Sequence, residues 1–517
     1  MIILNSFKID NSQKNSLKCV YDLKKFIENF SDQEMYEKNL IRFSNILGCD
    51  SAPLKLKSKK LISDEFDFKK NKFNNFSSSL QIIISFFIFI YLVLLTICSF
   101  KKHNTEKLDL ILMNVSQIDE IEKFKKVLSC FKSVIITDKK LNFQNTRENI
   151  SDLYLKDNLI FKYKENILDL SYKDKNEKVS INTIIKFKKK IPFCSESIKK
   201  KFELLNFGIK LFFISLSKNF NFFQVYNKIL YSYISSYSIF KCFNAKYLIQ
   251  DRIFSTCPIR NYIFKKLGGK ITSCVQSHIT EASISMFNDT DILFTFGKEQ
   301  FSKNFLIDLG SRVQKSFPVG SLRAESFYVN SAKNFHVDEK IDILIFGVNL
   351  FNWLYLNNNT YENYYNFIKL MGEVSKKYEN LNIYLKHHSN NHKKVDWKER
   401  DLIKDTRIKY LSSFSNTYTY IKNTKLFFSF SSTMILETCG LVGKSYFIDP
   451  SENNFVFFEK NKNLNKIKLN SMEKIESIIK QHLLNKNDTI NNFDDICLNS
   501  ANVSELIVSK IRETACE

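Results

Sequence analysis

The chain has 517 residues, 44% of them hydrophobic, enough for two large domains or three smaller ones. Its formal charge of +23 comes mostly from lysines scattered among Asn, Ile, Phe and Tyr, the pattern of AT-rich codon usage, with no Arg-rich block. That scatter argues against a nucleic-acid partner and leaves open an attraction for anionic lipid headgroups or phosphorylated substrates. The 11 cysteines form no CxxC pair and no His/Cys cluster at metal spacing, so reduced thiols in a cytoplasmic compartment are expected, with neither a disulfide framework nor a zinc site.

Residues 1–79 are polar, mildly basic and partly helical in pattern, and their start lacks the apolar core of a secretory signal. Leu80–Phe100, "LQIIISFFIFIYLVLLTICSF", carries no charge and is bracketed by Lys69, Lys70, Lys72, Lys101 and Lys102. As a helix it reaches about 30 Å, enough to cross a bilayer core. A transmembrane helix is therefore expected, or one lying in a single leaflet, its orientation left open by lysines at both ends.

An α/β rhythm follows. "LDLILMN" (108–114) and "SVIITD" (133–138) read as strands around a helix at 118–131, and 150–185 is irregular and β-like. Residues 196–242 are aromatic and helical, a core stripe whose interleaved lysines also suit a membrane or a lipid-linked acceptor. Strands resume at 246–251, 270–277, 291–297 and 314–320. A second set starts at "IDILIFG" (341–347) and continues at 380–386, 407–411, 425–430 and 444–449. Regular strand–helix spacing predicts two doubly wound, Rossmann-type α/β domains facing a cleft, over 104–325 and 338–490, with a C-terminal helix in 491–517.

Three loops converge at the carboxyl edge of the second sheet. Gly347 and Asn349 follow the first strand, where glycine lets backbone approach a phosphate. Lys386, His387 and His388 end the second, and an imidazole can give a proton to a phosphate near neutral pH. The third is "LFFSFSSTMILETCGLVGKSYFID", a strand, a helix with a hydroxyl N-cap and a glycine stop, then a strand. If Ser431 or Ser432 caps that helix, its first-turn amides point outward at an anion. Thr433 adds a hydroxyl, and Glu437 stands one turn inside, where it could accept hydrogen bonds from sugar hydroxyls.

"IYLKHHSN" followed by "FSFSSTMILETCGLVGKSYFIDP" resembles the C-terminal domain of GT-B-fold glycosyltransferases that build bacterial surface polysaccharide. These include sialyl- and polysialyltransferases and CDP-glycerol glycerophosphotransferases. Lys386 and His388 match a Lys-x-His-Pro motif in which Ser389 replaces the proline. Ser431, Ser432 and Thr433 match a Ser/Ser-Thr motif, Glu437 the glutamate of the following helix, and Gly443 and Lys444 the last motif. The resemblance implies that His388 and the hydroxyls hold the donor phosphate while Glu437 reaches the nucleotide ribose. In the first half, "KITSCVQSHITEA" resembles the Gln-His-Gly strand end of these families, with Gln276 matched and His278 displaced by one place. His278 and Glu281 are the candidates for the catalytic base, and Gly320, Ser321 and Arg323 are expected at the cleft.

The reading is an inverting transfer of a sugar from a nucleotide-activated donor to a surface polysaccharide or lipid-linked glycan, with the catalytic part on the cytoplasmic side of the inner membrane. No cofactor beyond the nucleotide sugar is expected. No obligatory metal is expected either, because "NDTD" (288–291) precedes its strand and reads as a turn. Alternatives are a nucleotide-sugar 2-epimerase, which shares the two-domain architecture, and a non-catalytic, membrane-tethered binding protein.

Overall fold

The computed structural model describes residues 75–97, 106–113, 123–137, 160–164, 167–171, 182–186, individual positions between 205 and 241, 243–251, 258–275, 289–298, 312–325, 340–348, 358–388, 393–411, 417–449, 467–484, 494–498 and 502–517. Gln276, His278, Glu281 and Asn349 lie outside these residues.

Helix α1, Asn75–Ile97, opens the described chain. Its side chains are described only within Ser79–Leu94, and among the described residues no helix is long and apolar enough to cross a membrane. The first sheet is built from β1 (Glu106–Met113), β2 (Ser133–Thr137), β3 (Ile160–Lys164), β4 (Ile167–Ser171), β5 (Asn182–Lys186), β6 (Phe243–Gln250), β7 (Ile271–Val275), β8 (Asp289–Thr295) and β9 (Arg312–Pro318). Its order is β3-β4-β5-β2-β1-β6-β7-β8-β9, parallel apart from the two pairs that β4 makes. The irregular section thus becomes a hairpin plus one strand on the sheet's edge. Helix α2 (Lys125–Ser129) covers part of one face, with Val127 and Leu128 buried.

The second sheet holds β10 (Ile341–Phe346), β11 (Ile383–Lys386), β12 (Lys409–Leu411), β13 (Thr424–Ser429), β14 (Ser445–Ile448) and β15 (Lys468–Leu469). All its pairings are parallel, in the order β12-β11-β10-β13-β14-β15. Counted along the chain this is the 3-2-1-4-5-6 order of a dinucleotide-binding sheet. Every residue of β10 is buried, as a strand covered on both faces requires. Helix α3 (Asn358–Lys377) supplies one cover through Tyr364, Phe367, Ile368, Met371 and Val374, which recur at helical spacing and are buried. The two-sheet α/β plan expected from the spacing is therefore present.

One expected turn is a strand instead. Asp289–Asp291 begins β8, and the Asp291 carboxylate accepts from the Thr272 amide at 2.7 Å and pairs with Lys265 at 2.9 Å, clamping β7 to β8.

The chain end joins the two sheets. The Leu498 amide donates to the Phe296 carbonyl at 2.9 Å, beside the end of β8. The last helix (Val503–Cys516) then buries Val503, Ile507 and Ile511 in the first sheet's core. Each such aliphatic side chain is worth about 1.5–3 kcal/mol on full burial, enough to hold a short helix in place.

Candidate functional site

In a doubly wound sheet, ligands bind beyond the carboxyl ends of the strands, where successive connections leave on opposite sides. Here that switch point lies between β10 and β13, at Gly347 and Ser429.

Gly347 is there for space. Its amide donates to the Lys386 carbonyl at 2.9 Å, and an added Cβ would lie 2.9 Å from that oxygen and 3.1 Å from the His388 nitrogen. The end of β11 thus folds tightly over β10. Successive residues at a strand end face opposite ways, so the two histidines separate. His387 turns into the protein, where its Nδ1 bonds the fully buried Glu399, itself held by the Tyr364 hydroxyl at 2.7 Å. Asp396 stands 4.0 Å from His387 Nε2 and binds Arg400 at 3.1 Å and the Tyr410 hydroxyl. His387, expected to touch donor, is here buried and bonded to Glu399.

His388 is half-buried. Burial, with the charges of His387, Lys386 and Arg323 nearby, pushes its pKa down to about 4. Lys386 is buried and pushed down to about 8 by desolvation.

Across the switch point, Ser429 fastens the rim. Its hydroxyl donates to the Phe346 carbonyl at 2.8 Å and accepts from the Ser432 amide at 3.1 Å. The helix that follows, Met434–Val442, takes Thr433 as N-cap residue without a side-chain cap bond. The expected hydroxyl cap is displaced: Ser432 Oγ instead accepts from the Met434 amide at 3.3 Å. The amides of Ile435 and Leu436 bond the carbonyls of Ser432 and Thr433 at 3.1 and 3.0 Å, so the first turn spends its donors internally. The rim therefore offers hydroxyls in place of the expected cradle of open amides. One stands out: Ser431 Oγ is buried and makes no hydrogen bond among the described residues. The helix also runs past the expected stop at Gly440 and ends at Gly443, whose φ of 72° is the left-handed turn glycine favours. Gly440 is small for another reason, since a Cβ there would lie 2.8 Å from the Cys497 carbonyl oxygen.

Glu437, expected at a ribose, is buried and accepts from the Tyr418 and Ser321 hydroxyls. Burial raises its pKa, while Tyr418 and the Arg323 charge oppose the rise. Ser321 also caps the short turn Leu322–Ala324, accepting from the Ala324 amide at 3.1 Å. Gly320 precedes it at φ 91°, where a Cβ would lie 2.8 Å from the Leu498 carbonyl oxygen. Arg323 is exposed and acts electrostatically on both Glu437 and His388, so the structure brings Ser321, Arg323, Glu437 and His388 to one junction between the sheets.

The sequence reading missed Glu399 and Asp396, which look like ordinary members of the charged run "KKVDWKERD", and the tyrosines Tyr364, Tyr410 and Tyr418, which lie among polar neighbours. It also missed the buried ion pair Lys123–Asp251. Asp251 closes β6 at the first sheet's own switch point, and Lys123 lies within electrostatic reach of Glu437. "KYLIQD" carried the signal, an acid directly after a buried strand.

No family model matches the chain, and no curated protein matches it. Solved structures with a similar course include a UDP-GlcNAc 2-epimerase from Methanocaldococcus jannaschii, 12% identical over 79% of this chain and 100% of that one, with a TM-score of 0.44. A putative UDP-N-acetylglucosamine 2-epimerase from Listeria monocytogenes is 11% identical over 79% and 96%, TM-score 0.48. MurG from Acinetobacter baumannii is 9% identical over 78% and 99%, TM-score 0.38. At such values the site's chemistry rests on its own residues.

Proposed function

We propose that the rim of the second sheet binds the phosphate of a nucleotide-activated sugar. The chain then transfers the sugar, with inversion and without an obligatory metal, to a hydroxyl of a surface polysaccharide or lipid-linked glycan. Its place would be the cytoplasmic face of the inner membrane. The observation that carries the reading is the buried hydroxyl of Ser431 at the switch point, unbonded among the described residues and beside Ser432, Thr433 and His388. A buried hydroxyl without a partner costs about 1–3 kcal/mol, a cost that a bound phosphate oxygen would remove.

In the reaction, the acceptor oxygen bonds the anomeric carbon as the bond from that carbon to the phosphate oxygen breaks. The base that takes the acceptor proton would come from the first domain, where His278 and Glu281 remain the candidates. The departing phosphate gains charge, and the hydroxyls of Ser431, Ser432 and Thr433, His388 and the Arg323 guanidinium would stabilise it. Lys386 and Gly347 set the backbone path that presents His388, His387 anchors it, and Glu437 with Ser321 ties the rim to the first domain.

The same rim serves a second reading, a nucleotide-sugar 2-epimerase, because every group described acts on the donor side. Incubating the purified chain with UDP-, CMP- and CDP-linked sugars, with and without glycan acceptor, separates the two. Transfer supports the first reading, interconversion of the free donor supports the second, and binding without turnover leaves a binding protein.

A further inference from the structure

The side chains of α1 divide into two faces. Ile82, Phe89, Leu92 and Val93 are buried. This face backs onto helical residues in 205–216: the Phe86 and Phe212 rings lie tilted with centroids 4.5 Å apart, and a Cβ on Gly208 would overlap the Phe89 ring. The opposite face is equally apolar and faces outward, with Phe87 66% and Tyr91 60% exposed. Phe213, 64% exposed, extends this surface onto the second stretch. Among the described residues, every exposed large apolar side chain lies on these two stretches except Tyr262, Trp397 and Leu484. Soluble monomers rarely gather their exposed apolar surface in this way.

Charge identifies the occupant. From Phe68 to Thr105 the sequence has five lysines and no Asp or Glu, the lysines falling on either side of the apolar run. Lys199, Lys200, Lys201, Lys210 and Lys218 accompany the second stretch, and no acid occurs between Glu203 and Asp251. Aromatic and aliphatic side chains among lysines that outnumber the acids, Glu196 and Glu203 before the second stretch included, match an acyl boundary beneath anionic headgroups.

We propose that α1 and the helical residues of 205–216 form a two-helix platform that seats in one leaflet of an anionic bilayer without crossing it. A lone spanning helix would show lipid to every side, whereas α1 commits the stripe through Ile82, Phe89 and Val93 to its own protein. The inference rests on the membrane location proposed above and is independent of the sugar chemistry.

The full chain is sedimented with vesicles of phosphatidylcholine alone and of phosphatidylcholine with phosphatidylglycerol. It pellets with the anionic vesicles and far less with the neutral ones. F87E/Y91E and, separately, F213E reduce that binding by roughly tenfold while leaving nucleotide binding unchanged, which separates failure of this proposal from failure of the donor site. Protease added outside the vesicles removes tags at both chain ends. The proposal is overturned by failure to pellet with anionic vesicles, by F87E/Y91E pelleting as the parent does, or by a protected N-terminal tag, which means a span. It is also overturned if the apolar face instead drives a concentration-dependent dimer that F87E/Y91E dissolves.

Discussion

Glu399 bonds Nδ1 of His387 from inside the second domain, and that pairing decides which of two adjacent histidines reaches the rim. With His387 anchored, strand alternation turns His388 toward the switch point.

Removing the anchor leaves the buried Glu399 carboxyl with the Tyr364 hydroxyl but without its imidazole, a lost buried hydrogen bond that costs about 1–3 kcal/mol. His387→Ala is therefore expected to lower urea stability by an amount on that order, and His388→Ala by less than about 1 kcal/mol. Equal losses in the two variants would place both imidazoles in the same environment, against the geometry described.

Ser431→Ala should move stability and binding in opposite directions. It removes a buried hydroxyl that lacks a bond among the described residues, raising stability by about 1 kcal/mol, and it weakens nucleotide binding by about tenfold. Thermal melting and calorimetric titration read the two effects. A variant that is destabilised yet binds normally would assign the hydroxyl a packing role.

Two glycines give a contrast. Gly347→Ala drives a Cβ into the Lys386 carbonyl at 2.9 Å, where only backbone can yield, and is expected to cost about 1–3 kcal/mol together with nucleotide affinity. Gly372→Ala, inside α3, meets only the Thr406 methyl at 3.0 Å and gains helix propensity of up to about 1 kcal/mol. It should leave stability level or slightly higher, as denaturant midpoints will show.

The pH dependence follows from two groups of opposite sign. His388 has its folded pKa lowered to about 4 by burial, so the unfolded chain binds more protons between there and about 6.5. Stability rises with pH through that window, and His388→Gln should flatten the rise. Burial raises the Glu437 pKa, so the folded chain holds its proton longer, and stability falls as pH climbs from the ordinary carboxylate range through the raised value. Glu437→Gln should remove that fall. Urea melts at a series of pH values test both signs.

The sheets were legible because their strands are buried on both faces: "ILIF" and "LFF" are continuous apolar runs that no exposed element would carry. Local hydrogen bonding was less legible. Ser429, Ser431 and Ser432 look alike in sequence, yet one fastens two strand ends, one is unbonded among the described residues and one closes the first helical turn. Glu437 looked like a ligand because it stands alone in an apolar helix. Its partners, Tyr418 and Ser321, lie 19 and 116 positions away, and no periodicity connects them. The same holds for Glu399, whose partner Tyr364 is 35 positions distant.

The most direct measurement is calorimetric titration of the full chain with UDP, CMP and CDP at about pH 7.5 and about pH 5.5, with His388→Ala alongside. A phosphate at the rim favours the protonated imidazole. At least one nucleotide should therefore bind more tightly at the lower pH, and His388→Ala should lose both about tenfold in affinity and that pH dependence. Binding by the variant with the parent's affinity and pH profile, or no binding of any nucleotide by the parent, would contradict a phosphate site at this rim.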